Sequence, residues 1–412
     1  MQRSAGEFIW CRRMDKTTSI DLKAMALRFQ SLHLPVLLIL FCVVPACTVE
    51  EIARTCTLCD PRWDATARYL AGKATDLPTD SIAEYNHHRD RMRTYWHQIQ
   101  TGNRSRMQTW ARENMPYERM SPTTLYLFSG GDIINPTVLF PDSETYIFAA
   151  IEDPGVAPDS ASLTPVQRRQ GLDNIYRAVY TIGVDNYLRT NTMRAHLNRG
   201  PYRGLLPVLL MFLSGLDYEI DYARRIEINP EGDIITAINP RGYQTPEDVQ
   251  SSLNSGRLPP DGLEIVFHKP GSQQLRRIIY IRMWIADDML APSRPEGRFL
   301  SKQVPFNIML KSASYFLHRP AAERLCRFLV KNGRVVVQDD SGIPLRYFSE
   351  TWQMRLYGDY RGATPLADQP FHPTQPDMLA RYRDQSPDAL PFDYGYGALN
   401  GRSNLQLGYQ SQ

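Results

Sequence analysis

Residues 123–155 read TTLYLFSGGDIINPTVLFPDSETYIFAAIEDPG, and this stretch decides the fold class. Thr123–Phe128 and Glu144–Ile151 are runs of β-branched, aromatic and aliphatic residues. Each is closed by residues that end strands: Ser129-Gly130-Gly131-Asp132 after the first, Glu152-Asp153-Pro154-Gly155 after the second. β-branched and aromatic residues bounded by Gly, Pro and Asp are the signal of strands. The segment between them, DIINPTVLFP, is apolar and interrupted by proline, so a short buried helix or turn is expected. If such a segment carries the chain back as a crossover, the two strands would run parallel. A third run of the same kind, Arg334–Gln338 (RVVVQ), ends in Asp339-Asp340-Ser341-Gly342.

Working outward, the pattern predicts an α/β fold with a mixed sheet and helices on both faces. Residues 80–112 read as helices with many surface charges, and residues 163–198 as two helices joined near Gly183. Tyr202–Leu213 (YRGLLPVLLMFL) is almost wholly apolar and about 12 residues long, too short to span a bilayer and so expected in the core. Residues 217–290 are β-rich. The string INPRG, TPEDV, GLEIVF and IIYIRM has the rhythm of a PDZ module, and it fits antiparallel additions to the main sheet equally well. Phe306–Leu317 (FNIMLKSASYFL) carries apolar residues at helical spacing. Pro320 restarts a helix that Gly333 closes. Residues 363–412, rich in Pro, Gly, Tyr and Asp, are expected to wrap over the domain as an irregular tail. The α/β domain is thus placed at 80–362.

The N-terminal part differs in kind. Leu34–Ala46, LPVLLILFCVVPA, is an uncharged run of 13 residues, where a spanning helix needs about 20. Its length and the upstream Arg28 and His33 match a signal peptide. Met25 is a natural start, so residues 1–24 read as a mis-called extension. The run ends in Val44-Pro45-Ala46-Cys47, similar to the bacterial lipobox except for Pro45. Residues 1–47 are therefore expected to be a signal and lipidation segment with Cys47 as the acylated residue; plain cleaved secretion and an uncleaved anchor are the alternatives. Residues 48–79 read as a tether. Within it, Cys56 and Cys59 form a C-x-x-C pair with no second pair to complete a zinc site, and a local disulfide is expected. Cys326, in AAERLCRFLV, reads as a buried core thiol.

The chain has 47 Lys/Arg and 44 Asp/Glu, a formal +3. Residues 1–46 hold six of the bases and three of the acids, so the remainder carries 41 of each. No basic field remains to favour nucleic acid.

Three strand signals ending alike make the candidate site. Were the strands parallel, their carboxyl ends would share one rim, where ligands bind in open α/β sheets. Asp132, Asp339 and Asp340 are the candidate catalytic carboxylates, with Arg346 as a candidate basic partner. Asp132, Glu152 and Asp153 are candidates for holding a divalent cation as cofactor. The competing reading is that Gly, Asp and Pro simply end strands. His318 lies four residues after Ser314 and, with Asp340, could complete a triad, although no G-x-S-x-G elbow is present. A helix C-terminal position suits it better. His87, His88 and His97 do not share one helical face. There is no GxGxxG, P-loop, HExxH or EF-hand loop.

The stretches YLFSGGDIINPTVLFPDSETYIFAAIEDPG, KSASYFLHRP, VVVQDDSGIP and YGYGALNGRSNLQL resemble a family of uncharacterised exported bacterial proteins. The resemblance covers roughly residues 120–405 and implies export and an α/β fold; it carries no activity or catalytic residues. Two functions stand against each other. One is an exported, membrane-anchored envelope lipoprotein with a binding or scaffolding role toward an envelope partner. The other is an envelope hydrolase of glycans or esters working through the acidic rim.

Overall fold

The structure, a computed structural model, describes residues 62–75, 77, 82–185, 195–197, 200–237, 260–362 and 373–411. The chain divides into two units, Met1–Ala46 and Cys47–Gln412, and all described residues belong to the second. Cys47, Cys56, Cys59, the apolar run before them and the TPEDV segment lie outside the described residues.

The fold is α/β, built on one ten-stranded mixed sheet of order β4-β3-β5-β6-β2-β1-β7-β8-β10-β9. The strands are β1 Thr123–Leu127, β2 Thr145–Ala150, β3 Glu219–Ile228, β4 Ile234–Thr236, β5 Asp261–His268, β6 Arg276–Arg282, β7 Phe306–Leu310, β8 Gly333–Gln338, β9 Trp352–Gly358 and β10 Asn404–Gln410. The centre, β6-β2-β1-β7-β8, is parallel throughout. Antiparallel arms extend it on both sides.

Two hydrophobic cores lie on opposite sheet faces, and the strands alternate between them. Tyr126 and Phe148 point into one; Leu125, Leu127, Ile147 and Ala149 point into the other. The first face is covered by α1 (Arg62–Leu70), α2 (Ile82–Thr101), α3 (Asn103–Asn114), α4 (Ile134–Leu139), α5 (Pro165–Asp185) and α6 (Leu205–Gly215). The second is covered by α7 (Pro295–Lys302) and α8 (Glu323–Asn332). A last helix, α9 (Pro376–Asp384), packs Met378 and Tyr382 in a small third core. Every residue of α6 is buried. That is the physical reason its sequence lacks a polar face. Among the described residues, no helix is long and apolar enough to cross a membrane.

Several expectations need correction. The domain begins before residue 80: Ala67, Tyr69 and Leu70 of α1 are core residues, so the stretch from Arg62 is not a tether. No break occurs at Gly183, since α5 runs to Asp185. Phe306–Leu310 is a strand, not the start of a helix. It lies between β1 and β8 with all five side chains buried, and a central parallel strand shows no alternation to reveal it. The β-rich middle continues the main sheet through β5 and β6, and is not a separate module. The closing segment is irregular over 385–403, apart from a short 3₁₀ turn, Tyr396–Asn400. It then ends in β10, which inserts between β8 and β9. Cys326 is fully buried, as expected.

Candidate functional site

Because β1, β2, β7 and β8 are parallel, the turns that follow them stand along one sheet edge. The expected rim therefore exists. The chain places β2 and β6 on one side of β1, then crosses to place β7 and β8 on the other. The order of connection reverses between β1 and β7. In open α/β sheets that is the crevice where ligands lie.

The residues at this switch point are Asp132, in the turn after β1, and Lys311, directly after β7. Lys311 Nζ lies 2.7 Å from Asp132 Oδ2, and the two side chains are 2% and 4% exposed. Asp132 also accepts hydrogen bonds from Tyr126 Oη at 3.1 Å, from the Asn135 main-chain N–H at 3.2 Å, and from Asn135 Nδ2 at 2.8 and 2.7 Å to its two oxygens. The sequence dictates part of this. An aspartate three residues ahead of an N–H in the first turn of α4 does the work of an N-cap, and Asn135 sits where it can add its amide.

One residue further on, the Ser312 N–H donates to Asp339 Oδ2 at 2.8 Å. Asp339 Oδ1 accepts from the N–H of Ser341 at 3.0 Å and from its hydroxyl. The Lys311–Ser312 turn thus links the acid after β1 to the acid after β8. Asp340 accepts from Tyr315 Oη at 2.6 Å and from Asn404 Nδ2 at 2.9 Å. Burial, then the neighbouring charge of Asp340, pushes the Asp339 carboxyl up to about 7, against the pull of its three donors. Tyr394 and Tyr126 are pushed well above the ordinary phenol value by burial first. The charges of Asp339 and Asp132 add to the effect on Tyr394, and Asp132 does so on Tyr126.

The tail closes this crevice. Tyr394 is fully buried, its hydroxyl reaches the Leu310 carbonyl at 3.4 Å, and its ring lies 5.9 Å from Lys311 Nζ. Gly395, at φ +68°, lies so close to Asp339 that a Cβ would come 2.1 Å from Oδ2. Both strands that flank the crevice are followed within two residues by a non-glycine residue in the left-handed region, Phe128 at φ 62° and Ser312 at φ 68°. Such conformations carry backbone strain and concentrate at functional or tightly determined positions. The hydroxyls of Ser312 and Ser314 are buried there without a hydrogen-bond partner.

The other candidates fall elsewhere. Asp153 meets Arg282 at 3.1 Å and accepts the Gly155 N–H at 2.7 Å, so it fixes its own turn. Glu152 lies on the β2 side of the edge, its carboxylate 3.2 Å from where a Gly130 Cβ would stand. No group of His, Cys, Asp or Glu able to hold a metal ion occurs among the described residues. Asp132, Glu152 and Asp153 are therefore not gathered as a cation site. Arg346 is not the basic partner of the rim; Lys311 is. The Ser314–His318–Asp340 triad is not assembled, because Ser314 Oγ and His318 Nε2 each lack a partner and Asp340 is engaged by Tyr315 and Asn404. Ser314 and His318 belong to a 3₁₀ turn, not to an α-helical face.

Lys311, Asn135, Tyr394 and Asn404 were not singled out by sequence. Reading FNIML as a strand would have put Lys311 at a strand end beside the other turns. Tyr394 and Asn404 are recruited from 84 and 64 residues away and leave no local signal. Compared with protein families, with curated proteins and with solved structures, the chain matches none.

Proposed function

We propose that the protein is an exported cell-envelope protein, held at a membrane through Cys47 and acting there as a binding or scaffolding module. The observation that carries the reading is the 13-residue apolar run Leu34–Ala46 ending at Cys47. It has the length of a signal region and is too short to span. Among the described residues, no helix is long and apolar enough to cross a membrane. Each buried CH₂ of an acyl chain contributes about 0.8 kcal/mol, and stable retention takes more than one chain.

The state of the rim favours binding over hydrolysis. A glycosidase-like pair needs two carboxylates about 5–10 Å apart across an open cleft. Asp132, Asp339 and Asp340 are at most 3% exposed, and each is held by donors within the protein. Such acids hold turns in place, which suits a rigid platform. Metabolic labelling with palmitate in a bacterial host tests the proposal. Label on the wild type that disappears in Cys47→Ser, with the mature N-terminus at or near residue 47, is the expected result. An unlabelled wild type retaining Met1 or Met25 refutes it.

A further inference from the structure

Beside the rim, the segments leaving β7 and β8 and the start of α8 line an open, solvent-exposed cavity of about 360 Å³, formed by His318, Pro320, Glu323, Arg327, Arg346 and Tyr347. His318 ends the 3₁₀ turn Tyr315–His318 that follows β7. Arg346 and Tyr347 belong to the turn Leu345–Tyr347 that follows β8. Glu323 and Arg327 stand one helical turn apart on α8. The cavity therefore lies at the carboxyl-end side of the parallel strands, outside the crevice that the tail fills. Its volume falls at the lower end of the range for small-molecule sites, about 300–1,000 Å³.

Its chemistry is that of an oxyanion site. Two guanidinium groups lie over the Tyr347 ring, Arg346 at 4.8 Å and Arg327 at 5.6 Å from its centroid. Stacking on an aromatic face orients a guanidinium and reduces the freedom it must lose on binding. Arg346 is exposed and forms no ion pair among the described residues. Arg327 is steadied by Glu323 at 2.8 Å. At the wall of the cavity, His318 Nε2 is buried with no hydrogen-bond partner. Burial, helped by Arg346, lowers the His318 ring to about 4, so it is neutral at pH 7 and the lining carries two positive charges against one negative. The planar forks of two arginines match the oxygens of a tetrahedral oxyanion, to which they donate in pairs.

We propose that this cavity binds a phosphate group, carried either by a small soluble phosphate or by a lipid headgroup, between Arg346 and Arg327. Four forms of the full chain are compared, all in a Cys47→Ser background so that an acyl anchor does not mask binding: the parent, Arg346→Gln, Arg327→Gln, and Arg383→Gln as an exposed control on α9. Equilibrium dialysis against inorganic phosphate at low salt forms one arm. Co-sedimentation with phosphatidylglycerol vesicles, against phosphatidylcholine, forms the other. The parent is expected to bind at least one probe saturably. Arg346→Gln should weaken that binding about tenfold or more, the scale of one lost charge-assisted pair. Arg327→Gln should act in the same direction, and Arg383→Gln should leave binding unchanged. Whichever probe binds in an Arg346-dependent manner identifies the source of the phosphate. Binding of neither probe, or binding indifferent to Arg346, overturns the proposal.

Discussion

The Lys311–Asp132 pair gives the most exacting test of how the rim is held. Replacing Lys311 by Met keeps the length of the side chain and removes the charge. What is left is a carboxylate with three neighbouring donor groups, Tyr126 Oη and the main-chain and side-chain N–H groups of Asn135. Breaking a buried pair from one side costs about 3–5 kcal/mol. With those donors retained, Lys311→Met should fall near the low end, at about 3 kcal/mol. Asp132→Asn instead takes the carboxylate away from a lysine whose side chain is 2% exposed and whose ammonium lies 5.9 Å from the Tyr394 ring, and should fall near the high end, at about 5 kcal/mol. The double variant removes both charges together. It should be less destabilised than the sum of the singles by about 2 kcal/mol, within the range found for residues in contact. Urea unfolding of the four proteins, followed by far-ultraviolet circular dichroism at pH 7, measures the cycle. A cost below about 1 kcal/mol for Lys311→Met, or additivity within about 0.5 kcal/mol, would refute the reasoning.

Two pH dependences follow from the same geometry. The Asp339 carboxyl is raised in the folded state from 3.8 to about 7, so its contribution to stability is full below pH 3.8 and is lost as pH rises through about 7. Urea midpoints at pH 5 and pH 8 should therefore show the wild type losing more stability on going to pH 8 than Asp339→Asn does; equal slopes would count against a buried, proton-binding Asp339. His88 has the opposite sign. Burial lowers its ring from 6.5 to about 4, against the Leu70 carbonyl 3.0 Å from Nε2, so the neutral ring contributes fully above pH 6.5 and its contribution is lost as pH falls through about 4. Thermal melts of His88→Gln between pH 7 and pH 4 should show a shallower acid decline than the wild type, and an identical decline would exclude His88 as its source.

The two strands that open the fold were legible because nothing in their sequence competes with the strand reading: β-branched and aromatic residues run unbroken into Gly-Asp and Asp-Pro turns. Phe306–Leu310 was not, because it runs on into KSASYFL and the combined apolar positions imitate a helical stripe. A short apolar run buried on both faces carries no period of its own. That one misreading hid Lys311 as a site residue, since a lysine inside a supposed helix gives no reason to look at a sheet edge. The final strand was missed for a different reason. Gln406 alternates with Leu405 and Leu407 as a solvent-facing residue would, yet it is buried; it accepts from Gln338 Nε2 at 3.0 Å, a partner 68 residues away. Buried polar groups satisfied across such separations cannot be found from local pattern.

The same long-range pairing explains why the acids at the rim are quiet. Each takes its donors from a different part of the chain: Asp132 from α4 and the β7 turn, Asp339 from the β7 turn and its own, Asp340 from Tyr315 and from Asn404 at the start of β10. Asn404 reaches Asp340 because β10 pairs with β8 from Gln338↔Gln406 onward, which brings the strand's first residues over the turn. Gln375, just ahead of α9, donates to the Asp340 carbonyl and reinforces the same junction. A catalytic carboxylate must exchange partners during turnover, whereas these must keep theirs, because a buried acid that loses its donors carries the full desolvation cost. The acidic turns therefore act as the points at which the tail, the central strands and the first face of helices are joined. On the reading proposed above, the solvent-accessible groups beside this edge that can meet a ligand are the arginines around Tyr347.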